Sequence, residues 1–157
     1  MSPDGARVAF RRADLTYDGL LGREVWIMRS DGTDPIKVAT DKRSRVGTPT
    51  WSPDGKRIAY VRTALAYNAP TRSVEVNEWE NARAQTLFSD SRLTPALHWL
   101  PDGRLIYALD SEQAPGPGDS SVWTVTLPQA GKISSPGNAL HKETVRLHKL
   151  PEAPTEE

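Results

Sequence analysis

The chain predicts an all-β fold, a partial β-propeller of about three four-stranded antiparallel blades, and three observations carry that prediction. A Pro-Asp-Gly turn recurs at residues 2–5, 52–55 and 100–103, a spacing of about 50 residues that marks a repeat architecture. Each turn leads into a short apolar run, and a second run of β-branched and aromatic residues follows at 24–28, 73–76 and 121–125. No comparable stretch shows a sustained helical period.

Blade one (1–40) opens on its turn. Pro3 presets φ for the first turn position, Asp4 can accept N–H groups two residues on, and Gly5 supplies the positive φ that reverses the chain. Asp54 with Gly55 and Asp102 with Gly103 repeat that chemistry, so these six residues are predicted to be structural turn residues rather than acids or metal ligands. A long loop is expected over 11–23, then a strand around Trp26 and an Asp31-Gly32 hairpin into a last strand at 36–39. Met1 stands where the repeat carries its Trp, so blade one is expected to lack its inner strand.

Blade two (47–88) places Trp51 on the inner strand, then a strand after the turn, a loop over 63–72, a strand around Val76 and a last strand at 84–88. Trp79, in the turn over 77–81, is expected to be exposed. Blade three (94–150) repeats the order with Trp99 and Trp123, a loop over 110–120, and Leu100 in place of the turn serine. A stretch rich in Gly, Ser and Pro then replaces the short hairpin, and 144–150 reads as a final strand. Residues 151–157, with three Glu and two Pro, read as a disordered acidic tail. Trp26, Trp51, Trp99 and Trp123 fall at strand positions and are predicted to pack between blades.

These units resemble the TolB-type, WD-repeat-like propeller repeat, whose pattern runs Pro-x-Trp-Ser-Pro-Asp-Gly-x-x-Ile-Ala-Tyr, a variable loop, an Ile-Tyr-Val-Met-like strand and an Asp-Gly hairpin. Residues 48–60 match the first half almost position for position, and 25–33 match the second. The resemblance implies a ring of about six blades, so the three units are expected to belong to a larger propeller. An open arc leaves an apolar face bare at each end, and self-association through those ends is the expected consequence. The wording of 93–107 and 119–123 is also similar to the propellers of bacterial receptor-type serine/threonine kinases and of winged-helix regulators. That likeness implies an extracytoplasmic or periplasmic sensor.

Composition narrows the function classes. Lys plus Arg equal Asp plus Glu at 20 each, which argues against a dedicated nucleic-acid binder. The absence of cysteine removes disulfide and thiolate chemistry. No apolar stretch is long enough to span a membrane, and the start lacks the pattern of a signal peptide. There is no Gly-x-Ser-x-Gly elbow, no His-Glu-x-x-His, no EF-hand loop and no Walker sequence. No catalytic residue, cofactor or metal is therefore expected, and His98, His141 and His148 read as blade or loop residues. The expectation is a non-catalytic scaffold for protein–protein interaction or ligand sensing within a larger bacterial envelope or signalling protein. The alternatives are the accessory, substrate-gating propeller of a serine peptidase, or a Tol–Pal envelope component like TolB.

Blade geometry places the binding face. The Pro-Asp-Gly and Asp-Gly turns share one face of a propeller, while the loops over 11–23, 63–72 and 110–120 and the links over 40–47 and 89–94 share the other. Long loops on a rigid scaffold are where binding concentrates. Tyr17, Tyr67 and Arg72 offer the aromatic and guanidinium groups that anchor a protein or peptide partner. Lys42, Arg43 and Arg45 favour an acidic one, by an attraction that salt weakens.

Overall fold

The β-branched runs pair with their sequence neighbours as antiparallel strands. A computed structural model describes residues 1–16, 19–40, 43–65, 71–81, 83–110 and 121–127, and all regular structure among them is strand. The first sheet holds β1 (Arg7–Thr16), β2 (Gly19–Arg29) and β3 (Ile36–Thr40) in that order. In the second, β4 (Ser44–Val46) and β5 (Thr50–Trp51) both pair with β6 (Arg57–Ala64), followed by β7 (Thr71–Glu78) and β8 (Arg83–Ser89). The third holds β9 (Leu93–Trp99), β10 (Leu105–Leu109) and β11 (Ser121–Val125). Among the described residues the first sheet has no counterpart of the inner strands β4, β5 and β9. No described helix is long and apolar enough to cross a membrane.

Three expectations about loops and links are corrected. The segment 11–23 is not a long loop: β1 and β2 stay paired from Arg7↔Arg29 to Thr16↔Gly19, with one bulge at Arg12/Ala13. No proline interrupts the donor ladder there, so the hairpin runs on. Strand pairing likewise shortens the loop over 63–72, since β6 continues to Ala64 and β7 starts at Thr71. The link over 40–47 contains β4, whose residues pair with Arg62–Ala64. The inner strand of this blade is thus split at 47–49, where Pro49 has no N–H and Gly47 donates to Val61 O at 2.7 Å.

The second sheet lies between the other two and is buried on both faces. Strand alternation sends Ile58 and Tyr60 toward the first sheet, where they join Val25, Ile27, Val38, Val46 and Trp51. It sends Ala59, Val74 and Val76 toward the third, against Leu93, Trp99, Leu105, Tyr107 and Leu109. Hence β7 is buried continuously from Ser73 to Asn77 rather than alternately. Asn77, with no exposed surface, donates to Val38 O at 3.4 Å and bridges the first two sheets.

The tryptophans divide accordingly. Trp51 and Trp99 are buried, and Trp123 packs against the core shared with the second sheet. Trp26 sits on the opposite face from Val25 and Ile27, half-exposed, with Arg12 and Lys37 at 5.7 and 5.2 Å from its ring and its N–H on Glu24. It therefore does not pack between two described sheets. Trp79 is not an exposed turn residue. Its ring meets Trp51 edge-on at 6.1 Å, its N–H reaches Gly55 O at 3.0 Å, and Arg7 lies 4.6 Å over it. The turn after β7 folds back over the Pro-Asp-Gly turn, and the indole pins both to the first sheet.

Those turns are of two kinds. Gly5, Gly55 and Gly103 have φ of 71°, 68° and 86°. In the first two, the serine hydroxyl donates to the aspartate, from Ser2 to Asp4 at 2.6 Å and from Ser52 to Asp54 at 2.5 Å. The same hydroxyl accepts the N–H of Arg7 or Arg57 at 2.9 Å. The turns close by Ser2 N–H to Arg7 O and Ser52 N–H to Arg57 O, whereas blade three closes one residue sooner, by Leu100 N–H to Arg104 O. Thus Trp99 faces Leu105 while Trp51 faces Ile58, and a gapless alignment of the two turns is one residue out. The longer turn has an extra N–H that only the serine satisfies; the Leu100 turn omits that residue. Arg104 instead clasps Asp102 through its side chain at 2.7 Å.

Two outcomes follow. Ser52→Ala strands the Arg57 N–H and should cost about 1–3 kcal/mol in chemical denaturation. Burial raises the Asp54 carboxyl, but the Ser52 hydroxyl, the Lys56 N–H and Arg57 outweigh it and hold the group below the usual aspartate range. Its contribution is therefore present above the ordinary value and lost as pH falls through the lowered one, and an NMR carboxyl titration should show Asp54 moving up in Ser52→Ala. Separately, Trp51→Ala should cost about 3–5 kcal/mol and Trp79→Ala about 2 kcal/mol or more in thermal melts, since both rings serve one contact. A negligible loss at Trp79 would contradict the packing.

Candidate functional site

The register rows of the three sheets align one position. Phe10 faces Trp26 in the first sheet, Tyr60 faces Glu75 in the second, and Tyr107 faces Trp123 in the third. Glu75 therefore stands where the other two repeats carry an indole. Two residues beyond Tyr60, Arg62 stands where the third sheet has Leu109.

A carboxylate in that place has to be held by hydrogen bonds, because its side chain is only 8% exposed. Ser73 donates to Oε1 at 2.7 Å, and the Thr86 hydroxyl lies 2.9 and 3.0 Å from the two oxygens. Arg62 Nε approaches Oε1 to 3.8 Å, an ion pair without a direct hydrogen bond. Over this row lies a cavity of about 280 Å³, floored by Val46, Tyr60, Arg62, Glu75 and Ala84 of the second sheet and roofed by Val38, Ala39 and Thr40 of β3. Burial and the charge of Glu75, against a smaller opposing effect of Arg62, push the Tyr60 phenol up to about 12. It stays a neutral donor throughout the ordinary pH range.

Of the six residues expected to bind a partner, Arg43, Arg45 and Arg72 are described, and none of these three lines the cavity. Tyr17, Lys42 and Tyr67 lie outside the described residues, as do His141, His148, most of the loop over 110–120 and the whole of 128–157. Arg45 is exposed on β4, between buried Ser44 and Val46. Arg43 is exposed just before it, and its carbonyl accepts the Leu65 N–H at 2.8 Å. Arg72 donates to Leu93 O at 2.6 Å and lies 3.8 Å from Asp110, so it ties the second sheet to the third. His98 is exposed on β9. Among the described residues no three His, Asp or Glu side chains converge as a metal site would require. Sequence reasoning missed Glu75, Arg62 and Tyr60, although the repeat itself carried the signal: Val-Trp, Val-Glu and Val-Trp at 25–26, 74–75 and 122–123.

No family model matches the chain. Among curated proteins it is similar to dipeptidyl-peptidase 5 of Arthroderma otae, 32% identical over a 130-residue alignment that covers 74% of this chain. A probable dipeptidyl-peptidase 5 of Arthroderma benhamiae is 31% identical over the same length. The chain spans 18% of the length of each. Among solved structures, TolB from Acinetobacter baumannii superposes with a TM-score of 0.59 at 19% identity, covering 76% of this chain and 28% of that one. The propeller domain of the Trilobed protease from Pyrococcus furiosus gives 0.53 at 16%, covering 77% and 36%. The fold is that of a TolB-type β-propeller. The relatives are fungal peptidases, and the comparisons support neither bacterial signalling, nor a sensor role, nor a periplasmic location.

Tyrosine titration followed by ultraviolet absorbance should place one phenol near 12, and Glu75→Gln should lower it while burial keeps it above the ordinary tyrosine value. Because the folded value is raised, the associated stability is complete below the ordinary value and is lost as pH rises through the folded one. A Tyr60 that titrates normally would contradict the burial described.

Proposed function

We propose that this chain is a non-catalytic propeller segment of a peptidase, one that walls the approach to a catalytic centre and limits which substrates reach it. The observation that carries the reading is the sequence likeness to dipeptidyl-peptidase 5, which extends over three-quarters of this chain but under a fifth of the relative. The lack of a Gly-x-Ser-x-Gly elbow in these 157 residues supports a gating rather than a hydrolytic role. The likeness to TolB is one of fold and does not favour a Tol–Pal role. The partner in this reading is a protein: the catalytic unit, met at the loop end where Arg43, Arg45 and Arg72 lie. The outer faces of the first and third sheets, against which no other described sheet packs, offer a second route of contact, to further blades or another copy.

The test replaces the matching segment of the Arthroderma otae enzyme with this chain. A chimera folded by circular dichroism should cleave a dipeptidyl amide while excluding an unfolded protein, and the chain alone should neither cleave nor take up a fluorophosphonate label. Labelling of the chain alone, or a folded chimera that degrades the protein as fast as the small amide, would overturn the proposal.

A further inference from the structure

Trp51 and Trp99 hold the same place in consecutive repeats, each on an inner strand that pairs with the strand after its turn. The surroundings of their indole N–H groups differ. Trp99 reaches across to the second sheet and donates to Thr50 O on β5 at 3.2 Å. Trp51 is turned toward the first sheet in the same way and is only 9% exposed, yet its buried indole N–H has no acceptor. A buried donor of this kind carries a desolvation cost that an acceptor would remove. Thr50 lies opposite Ala59 on β6, and aligning Ser2 with Ser52 places Ala9 of β1 at the position of Ala59. By the repeat, the acceptor that fits the Trp51 N–H therefore belongs to a strand beside Ala9.

The backbone of β1 is built for such a strand. Among the described residues β1 pairs only with β2, so its other edge is open over ten residues that include no proline. In the second sheet the corresponding edge of β6 receives Gly47 N–H on Val61 O and Ser52 N–H on Arg57 O. Ser2 N–H takes the Arg7 carbonyl in the first sheet at 2.7 Å, and strand alternation turns Ala9 and Arg11 to the same side.

We propose that β1 takes an added antiparallel strand from another polypeptide, an extended segment with an acidic side chain opposite Arg11. Its carbonyl opposite Ala9 accepts the Trp51 N–H. Main-chain hydrogen bonds supply the affinity of such strand addition, and alternate side chains supply the choice of partner. Arg7, Arg11 and Arg12 outweigh Asp14 along β1, and Arg11 is exposed with no ion pair among the described residues. A second copy pairing through its own β1, about the middle of the strand, would set Arg11 opposite Arg12, and like charges so placed oppose pairing. Residues of the added strand opposite Val8 and Phe10 fall on the face that carries Trp26, so apolar side chains suit them. This partner meets a strand edge, not the loop end at which a catalytic unit would lie.

The probe is the peptide acetyl-Thr-Val-Glu-Val-Thr-Val-amide, whose Glu falls opposite Arg11 and whose second Thr falls opposite Ala9. Titrated into the full chain and followed by nitrogen-15 NMR, it should move the Trp51 indole N–H downfield saturably, with Trp51→Phe assigning that signal. Hydrogen exchange at Ala9 and Arg11 should slow in the same titration. Replacing the peptide Glu by Lys should weaken binding about fivefold or more, as should Arg11→Glu, and the Lys peptide should recover the loss on Arg11→Glu. Arg11 is exposed, so this variant should keep the wild-type melting temperature. No saturable shift up to about 1 mM peptide would overturn the proposal, as would equal affinity for the Glu and Lys peptides. Protection of Ala9 and Arg11 that rises with chain concentration in the absence of peptide would give the edge to a second copy, and would overturn it too.

Discussion

The structure depends on one constraint: a four-stranded blade has two faces to bury and can cover neither by itself. Only the second sheet has a described neighbour on each side, and its composition records this. The strands β6 and β7 carry fully buried side chains at successive positions, Ile58 beside Ala59 and Val74 beside buried Glu75 and Val76, where a surface sheet would alternate. The first sheet shows the other situation. Val25 and Ile27 are covered, while Trp26 between them lies half-exposed among Arg12, Glu24 and Lys37.

Covering both faces also fixes where the turns must lie. The Pro-Asp-Gly turns hold neighbouring strands at a set distance, and the serine form satisfies its extra N–H internally. Trp79 then joins the turn of the second blade to Arg7 of the first, so that the turn end of this interface is closed by aromatic and cationic contacts. The opposite end of the same interface is polar and holds the cavity. One pair of sheets is therefore sealed at one end and hollow at the other, and the difference comes from single residues at repeat-equivalent positions.

The repeat, the strand order within each described sheet and the positive φ of Gly5, Gly55 and Gly103 were legible in the sequence because each depends on local chemistry. Asp31-Gly32 marked its hairpin for the same reason, with Gly32 at φ 87°. What was not legible depended on partners distant along the chain. Trp79 looked like a turn residue because its contacts, Trp51 and Arg7, lie elsewhere in sequence. The long β1–β2 ladder was hidden because residues 11–23 mix leucines with charged residues and glycines and show no sustained alternation. The Glu75 site was readable only by asking of each repeat position which residue breaks the pattern. Aligning by likeness drew attention to what agreed, and a deviation of one residue in the third turn passed unnoticed in the same way.

Native-state hydrogen exchange tests the double coverage of the second sheet most directly, because amides at the centre of a sheet buried on both faces open only with the whole fold. The slowest amides should be those of β6 and β7 from Ile58 to Val61 and from Val74 to Asn77, with β1, β3 and β11 exchanging faster. Maximal protection in the first or third sheet instead, with β6 and β7 exchanging early, would contradict the account.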